Sequence, residues 1–65
     1  MKIKRHRNKI RRLRLEAGKR QLDVARKLNV YQSEVSQIER GEREPGVYLA
    51  KRIAKVFGRT VEETF

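Results

Sequence analysis

The sequence predicts an all-α fold of four or five short helices, and three observations predict it. Apolar residues recur at three- and four-residue intervals along most of the chain, as one face of a helix requires. No run of four or more residues alternates in the way of a half-buried strand. The turn-forming residues are few and well separated (Gly18, Asn29, the 41–46 stretch with Pro45, and Gly58), and they divide the chain into segments of helical length.

The first segment runs from Asn8, a good helix cap, to about Ala17, with Gly18 suited to the left-handed position after it. Ile10, Leu13 and Ala17 share one face of it. The second spans Gln21 to Leu28, with Leu22, Ala25 and Leu28 spaced inward, Val24 beside them and Asn29 able to turn the chain sharply. A third helix is expected from about Gln32 to Arg40, ended by Gly41. After Pro45 and Gly46, Val47, Leu49, Ala50, Ile53, Ala54, Val56 and Phe57 fall mostly on one side of a fourth, which Gly58 ends. Thr60 with Glu63 three residues on forms a capping box for a short last helix.

At 65 residues the chain has room for a single domain, and 37% hydrophobic against 40% charged residues allow only a small core. No 18-residue apolar run is present, so a transmembrane helix is excluded, and no apolar region follows the basic start as a secretory signal would need. There is no cysteine, one histidine (His6) and one aspartate (Asp23). A nucleophile needs a base within hydrogen-bond reach and a metal needs several convergent ligands. His6 sits among lysines and arginines that would repel a cation, and it reads as a solvated residue. The expectation is a chain that is not an enzyme, with no metal, no cofactor and no identifiable small-molecule ligand, in the cytoplasm and associated with the nucleoid.

The net charge of +10 is uneven. Residues 1–20 hold ten basic residues and one acid, whereas residues 21–65 hold eight basic residues and seven acids. Such a field captures polyanions, which makes DNA, RNA and an anionic membrane the candidate partners. Membrane binding asks for a bulky apolar face. The 8–17 segment offers only Ile10, Leu13, Leu15 and Ala17, and the core needs them, so no membrane partner is expected. Residues 1–7 read as a basic arm, either a solvated tail or a flexible segment that lies in a nucleic-acid groove when bound.

Two helices at 21–28 and 32–40 joined by three residues suggest a helix-turn-helix. Ala25 is small enough for a close crossing, and Val35 and Ile38 supply the contact from the second helix. At about 100° per residue, Gln32, Ser36, Arg40, Ser33 and Gln37 share one arc. Solvated helix faces favour Lys, Glu and Arg, which this chain uses freely elsewhere. A short, amide-rich face suits a major groove instead, where Gln can pair with adenine N6 and N7.

The run Gln21-Leu-Asp-Val-Ala25-Arg-Lys-Leu-Asn29-Val-Tyr-Gln-Ser-Glu-Val35-Ser-Gln-Ile-Glu39-Arg-Gly41-Glu-Arg-Glu-Pro45 resembles the Cro and phage-repressor type helix-turn-helix family, also called the xenobiotic-response-element family. The resemblance extends over residues 8–65 and implies a five-helix, phage-repressor-like DNA-binding domain, with 1–7 as its flexible basic arm. It implies a homodimeric transcription regulator on double-stranded DNA, most simply a repressor, with helix 32–40 in the major groove of a near-palindromic operator. Gln32, Ser33, Ser36 and Gln37 would face base edges. Gln21 would bind a phosphate and brace Gln32, with Lys19 and Arg20 beside it, and Arg40 and Arg43 would meet the flanking backbone. Arg14 and Glu39 would form a buried salt bridge, and Val47, Tyr48, Val61 and Phe65 lie where relatives dimerise.

The chain departs from the family at several places. Lys19 and Arg20 replace a core Leu and a capping Ser or Thr, Asn29 a Gly, and Tyr31 a Ser or Thr cap. Arg59 and Thr64 stand where relatives carry apolar residues, which is expected to weaken the packing of the last helix. Two other classes of function remain open at this stage. An antitoxin-like protein-binding module would show a long apolar extension, and the chain stops at Phe65 without one. An RNA reader commonly shows clustered exposed aromatics, and Tyr31, Tyr48, Phe57 and Phe65 are scattered.

Overall fold

The computed structural model describes residues 8–65, so His6 and the 1–7 arm lie outside the described residues. Five helices follow one another: α1 (Ile10–Glu16), α2 (Gln21–Leu28), α3 (Gln32–Glu39), α4 (Val47–Val56) and α5 (Val61–Thr64). No strand occurs among the described residues.

Each helix is too short to persist alone in water, so its ends and its packing decide whether it forms. Four of the five finish in the same way. The N–H of a residue with positive φ bonds back to the carbonyl three residues earlier, and the next N–H reaches five residues back. At α1 these bonds are Gly18 N to Leu15 O and Lys19 N to Arg14 O, both 3.0 Å. The turns at Asn29, Gly41 and Gly58 repeat the pattern. Asn29 (φ 59°) holds the left-handed position without being a glycine, as its short polar side chain permits.

The starts are less uniform. Asn8 Oδ1 accepts from Ile10 N at 3.1 Å, so Asn8 serves α1 as the sequence suggests. Its Nδ2 donates to Ile38 O at 2.6 Å, which ties the start of α1 to the end of α3. At α2, Arg20 has no acceptor atom, so only the return half of a capping box forms, Arg20 N donating to Asp23 Oδ2 at 2.9 Å. Tyr31 precedes α3 in an extended conformation and caps nothing with its side chain. Thr60 and Glu63 form both halves of the expected box at α5.

Ile10, Val24, Ala25, Leu28, Val35, Ile38 and Ile53 form the core, with Val30, Leu49, Val56, Phe57 and Phe65 packed around it. At roughly 1.5–3 kcal/mol for each large apolar side chain removed from water, this small set supplies most of the drive to fold. Ala17 and Val47 depart from the expected apolar faces and are exposed. Ala17 does so because α1 stops at Glu16 and the chain has already begun to unwind toward Gly18. Thr64 also corrects the sequence reading: it is fully buried, and its hydroxyl donates to Thr60 O at 2.9 Å, so the desolvation cost of the polar atom is met locally. Its own carbonyl accepts from Lys9 N at 2.9 Å, joining α5 to the start of α1. Arg59 stays in solvent, 3.8 Å from Glu63.

Candidate nucleic-acid interface

The three-residue turn at 29–31 sets α3 across α2, and Ala25, 1% exposed, leaves room for Val35 and Ile38 to close the crossing. Packing those two inward turns Gln32, Ser33 and Arg40 to solvent and leaves Ser36 and Gln37 half-buried beside them. The expected base-facing residues therefore share one surface, with Gln21 next to it at the first residue of α2.

A continuous hydrogen-bond chain supports this surface from below. Arg14 Nε donates to Glu39 Oε2 at 2.6 Å and Nη2 to Oε1 at 3.3 Å, while Nη1 donates to Lys19 O at 2.9 Å. The two side chains are 10% and 3% exposed, so α1 and α3 share the buried ion pair that the family resemblance implies. Gln21 Nε2 donates to Glu39 Oε1 at 3.1 Å, and Gln32 Nε2 makes a long contact of 3.5 Å to Gln21 Oε1. The carboxylate only accepts. Gln21 must therefore turn its nitrogen to Glu39 and its oxygen to Gln32, and Gln32 must turn its nitrogen back. What Gln32 then presents outward is one carbonyl oxygen and one amide hydrogen, the pair that matches adenine N6–H and N7.

The residues expected at phosphates are placed differently from one another. Lys19 is half-buried and Arg43 exposed. The Arg20 guanidinium grips Asp23 through Nε and Nη2, both at 3.2 Å. Asp23 is held down at about 2, first by that guanidinium and then by the Arg20 N–H. Arg40 grips Glu42 in the same manner, Nε to Oε2 at 3.0 Å and Nη2 to Oε1 at 2.9 Å, and its Nη1 donates to Ser36 Oγ. Ser36, accepting from Arg40, keeps its own proton for another partner. The carboxylate partners of Arg20 and Arg40 were not anticipated from sequence. The i,i+3 spacing of Arg20 and Asp23 could have shown the first, whereas Arg40 and Glu42 meet across the turn at Gly41, where helix spacing says nothing.

The four residues at the expected dimer contact are divided between two grooves. Val47, Val61 and Phe65 line one of about 400 Å³ beside Pro45. Tyr48 lines another of about 420 Å³ with Lys27 and Lys55, its ring centroid 5.8 Å from the Arg52 guanidinium carbon. No helix among the described residues is long and apolar enough to cross a membrane.

Comparison with known proteins agrees with this architecture. The chain is 38% identical over 58 residues to an uncharacterized HTH-type transcriptional regulator of Methanocaldococcus jannaschii, covering 89% of this chain and 88% of the relative. A second uncharacterized HTH-type transcriptional regulator, of Archaeoglobus fulgidus, is 34% identical over 59 residues, covering 91% and 84%. Among solved structures, the restriction-modification controller protein C.AhdI of Aeromonas hydrophila superimposes with a TM-score of 0.80 at 26% identity, over 88% of this chain and 86% of that one. A family model described as helix-turn-helix matches residues 10–63. With a short polar helix face braced by a buried ion pair and these matches over nearly all of the described chain, the protein belongs to the helix-turn-helix family of DNA-binding transcriptional regulators.

Proposed function

We propose that the chain is a sequence-specific repressor without catalytic activity, acting as a homodimer on a near-palindromic operator. In this reading α3 enters the major groove, and each protomer reads one of two half-sites about 34 Å apart. Gln32, Ser33, Ser36 and Gln37 meet base edges, while Gln21, Lys19, Arg20, Arg40 and Arg43 meet phosphates. Val47, Val61 and Phe65 supply the dimer contact, with Tyr48 at its margin.

The observation that carries this reading is the chain Arg14–Glu39–Gln21–Gln32. A solvated helix face has no need of a side-chain amide oriented from a buried ion pair, whereas a base reader does, because its donor and acceptor must be fixed before binding. The likeness to a restriction-modification controller protein supports a regulatory role. Repression by occupying a promoter is the simplest output of such a domain.

The test is selection from random DNA duplexes, followed by salt titration of the winning duplex against a scrambled one. The reading requires a near-palindrome bound at least about a thousandfold more tightly than the scramble, with a stoichiometry of two chains per duplex. Equal binding of both duplexes, lost together in salt, would leave only a general polyanion holder and return an RNA or protein partner to consideration.

A further inference from the structure

We propose that Asp23 and Glu42 act as specificity residues, occupying the phosphate-binding edges of Arg20 and Arg40 so that random DNA is held weakly and only a precisely docked duplex recruits the two arginines. The inference rests on the DNA-binding reading and deepens it by naming what sets the ratio of specific to non-specific affinity.

The geometry of the two pairs is the same. In each, one carboxylate spans Nε and Nη2 of a guanidinium, at 3.2 and 3.2 Å for Arg20 and 3.0 and 2.9 Å for Arg40. That side-on fork is also how arginine grips a phosphate. The carboxylates thus stand where two phosphate oxygens would stand. Both pairs flank the reading face, one at the N-terminus of α2 and one just beyond the end of α3.

Non-specific binding depends on uncompensated positive charge, because each cation that neutralises a phosphate releases counterions. An arginine already paired with a carboxylate adds almost nothing to that long-range term. The surrounding charge makes such a device useful, since the chain has a net charge of +10 even with Asp23 and Glu42 counted and without their pairing would hold any duplex more tightly. Close docking is different. Both pairs are solvent-exposed, with side-chain exposures of 75% and 36% for Arg20 and Asp23 and 50% and 38% for Arg40 and Glu42, and exposed pairs separate at little cost. Once the α3 side chains have matched their bases, each guanidinium can pass from carboxylate to phosphate, and Arg20 can instead share its Nη1 edge while keeping Asp23. Only the specific complex holds the phosphates close enough for that exchange. Ser36, bonded to Arg40 Nη1, links one of the two pairs to the reading face itself.

The experiment measures log Kobs against log salt for the selected and the scrambled duplex, with wild type, Asp23→Asn, Glu42→Gln and the double variant. Asn at position 23 still accepts from Arg20 N–H, so the start of α2 is preserved. Glu16→Gln is the control, since it removes an acid from an exposed arginine pair that forms no fork, Arg12–Glu16 at 3.7 Å on α1, and changes net charge equally. Each interface variant should steepen the slope on scrambled DNA by about one unit, tighten scrambled binding several-fold more than specific binding, and so lower the specificity ratio. Glu16→Gln should do markedly less. Unchanged slopes in the double variant, or equal effects from Glu16→Gln, overturn the inference while a wild-type preference for the selected duplex keeps the DNA-reading function standing. Loss of any wild-type preference overturns both.

Discussion

Arg14 and Glu39 lie 25 residues apart in sequence and meet at 2.6 Å in a nearly solvent-free contact between α1 and α3. Removing one partner leaves the other charge buried. Arg14→Met or Glu39→Leu alone is expected to cost about 3–5 kcal/mol, a large part of the stability of so small a domain. Replacing both should restore most of the loss, since two apolar side chains fill the same space without a desolvated charge. Urea unfolding of the two single variants and the double variant measures this directly. The double variant should remain folded yet discriminate bases less well, because Gln21 has lost the carboxylate that orients it.

Gln32 carries the exposed end of that chain. Gln32→Ala should relax the preference at one base pair of each half-site by about 1–3 kcal/mol, while leaving stability almost unchanged because the side chain is exposed. Gln21→Ala should weaken the same position although Gln21 need not touch the base. Competition binding with single-base operator variants distinguishes a loss at one position from a uniform loss.

Tyr31 stands at the start of α3 with 79% of its surface exposed and no side-chain acceptor for the first-turn amides, which have only its carbonyl, accepting from Glu34 N at 3.0 Å. Tyr31→Ser supplies that acceptor and gives up little packing, so the fold should gain on the order of 1 kcal/mol. A rise in the urea midpoint with an unchanged slope is the expected result.

Acid should weaken the fold through two carboxylates. Asp23 lies at about 2, held there by the Arg20 guanidinium and N–H, and Glu63 is lowered by the Thr60 N–H and then its hydroxyl. Both values are depressed in the fold. Their contribution is therefore complete above the ordinary carboxylate range, ~4, and is lost as pH falls through the folded values. For Asp23 that window runs down to about 2. Asp23→Asn and Glu63→Gln should each lower the melting temperature modestly at neutral pH, flatten its fall between these limits and converge with wild type in acid.

The helices were legible because two independent signals agreed. Apolar spacing located the faces, and Gly18, Asn29, Gly41 and Gly58 located the ends, where the backbone turns left-handed. Ala17 misled because spacing continued past the point where Gly18 had already unwound the helix. Val47 misled because a first-turn residue can carry the right hydrophobicity and still face outward. The Arg14–Glu39 pair was visible only through the family resemblance, since no local rule joins residues on α1 and α3. Charge alone would place Arg14, in the basic first third of the chain, on DNA. The Arg40–Glu42 clamp and the Asn8–Ile38 contact depend on how chain segments approach one another, which residue type and spacing do not encode.

The bond between Lys9 N and Thr64 O makes the folded domain a closed loop in all but covalent connection. A short linker from residue 65 back to residue 8 would span little distance, and fresh termini could be opened at Gly58, an exposed turn between α4 and α5. The stretch from α2 through α3 would then stay unbroken inside a permuted chain. Fraying at one end also withdraws a partner from the other, so the two extremities melt together rather than one at a time.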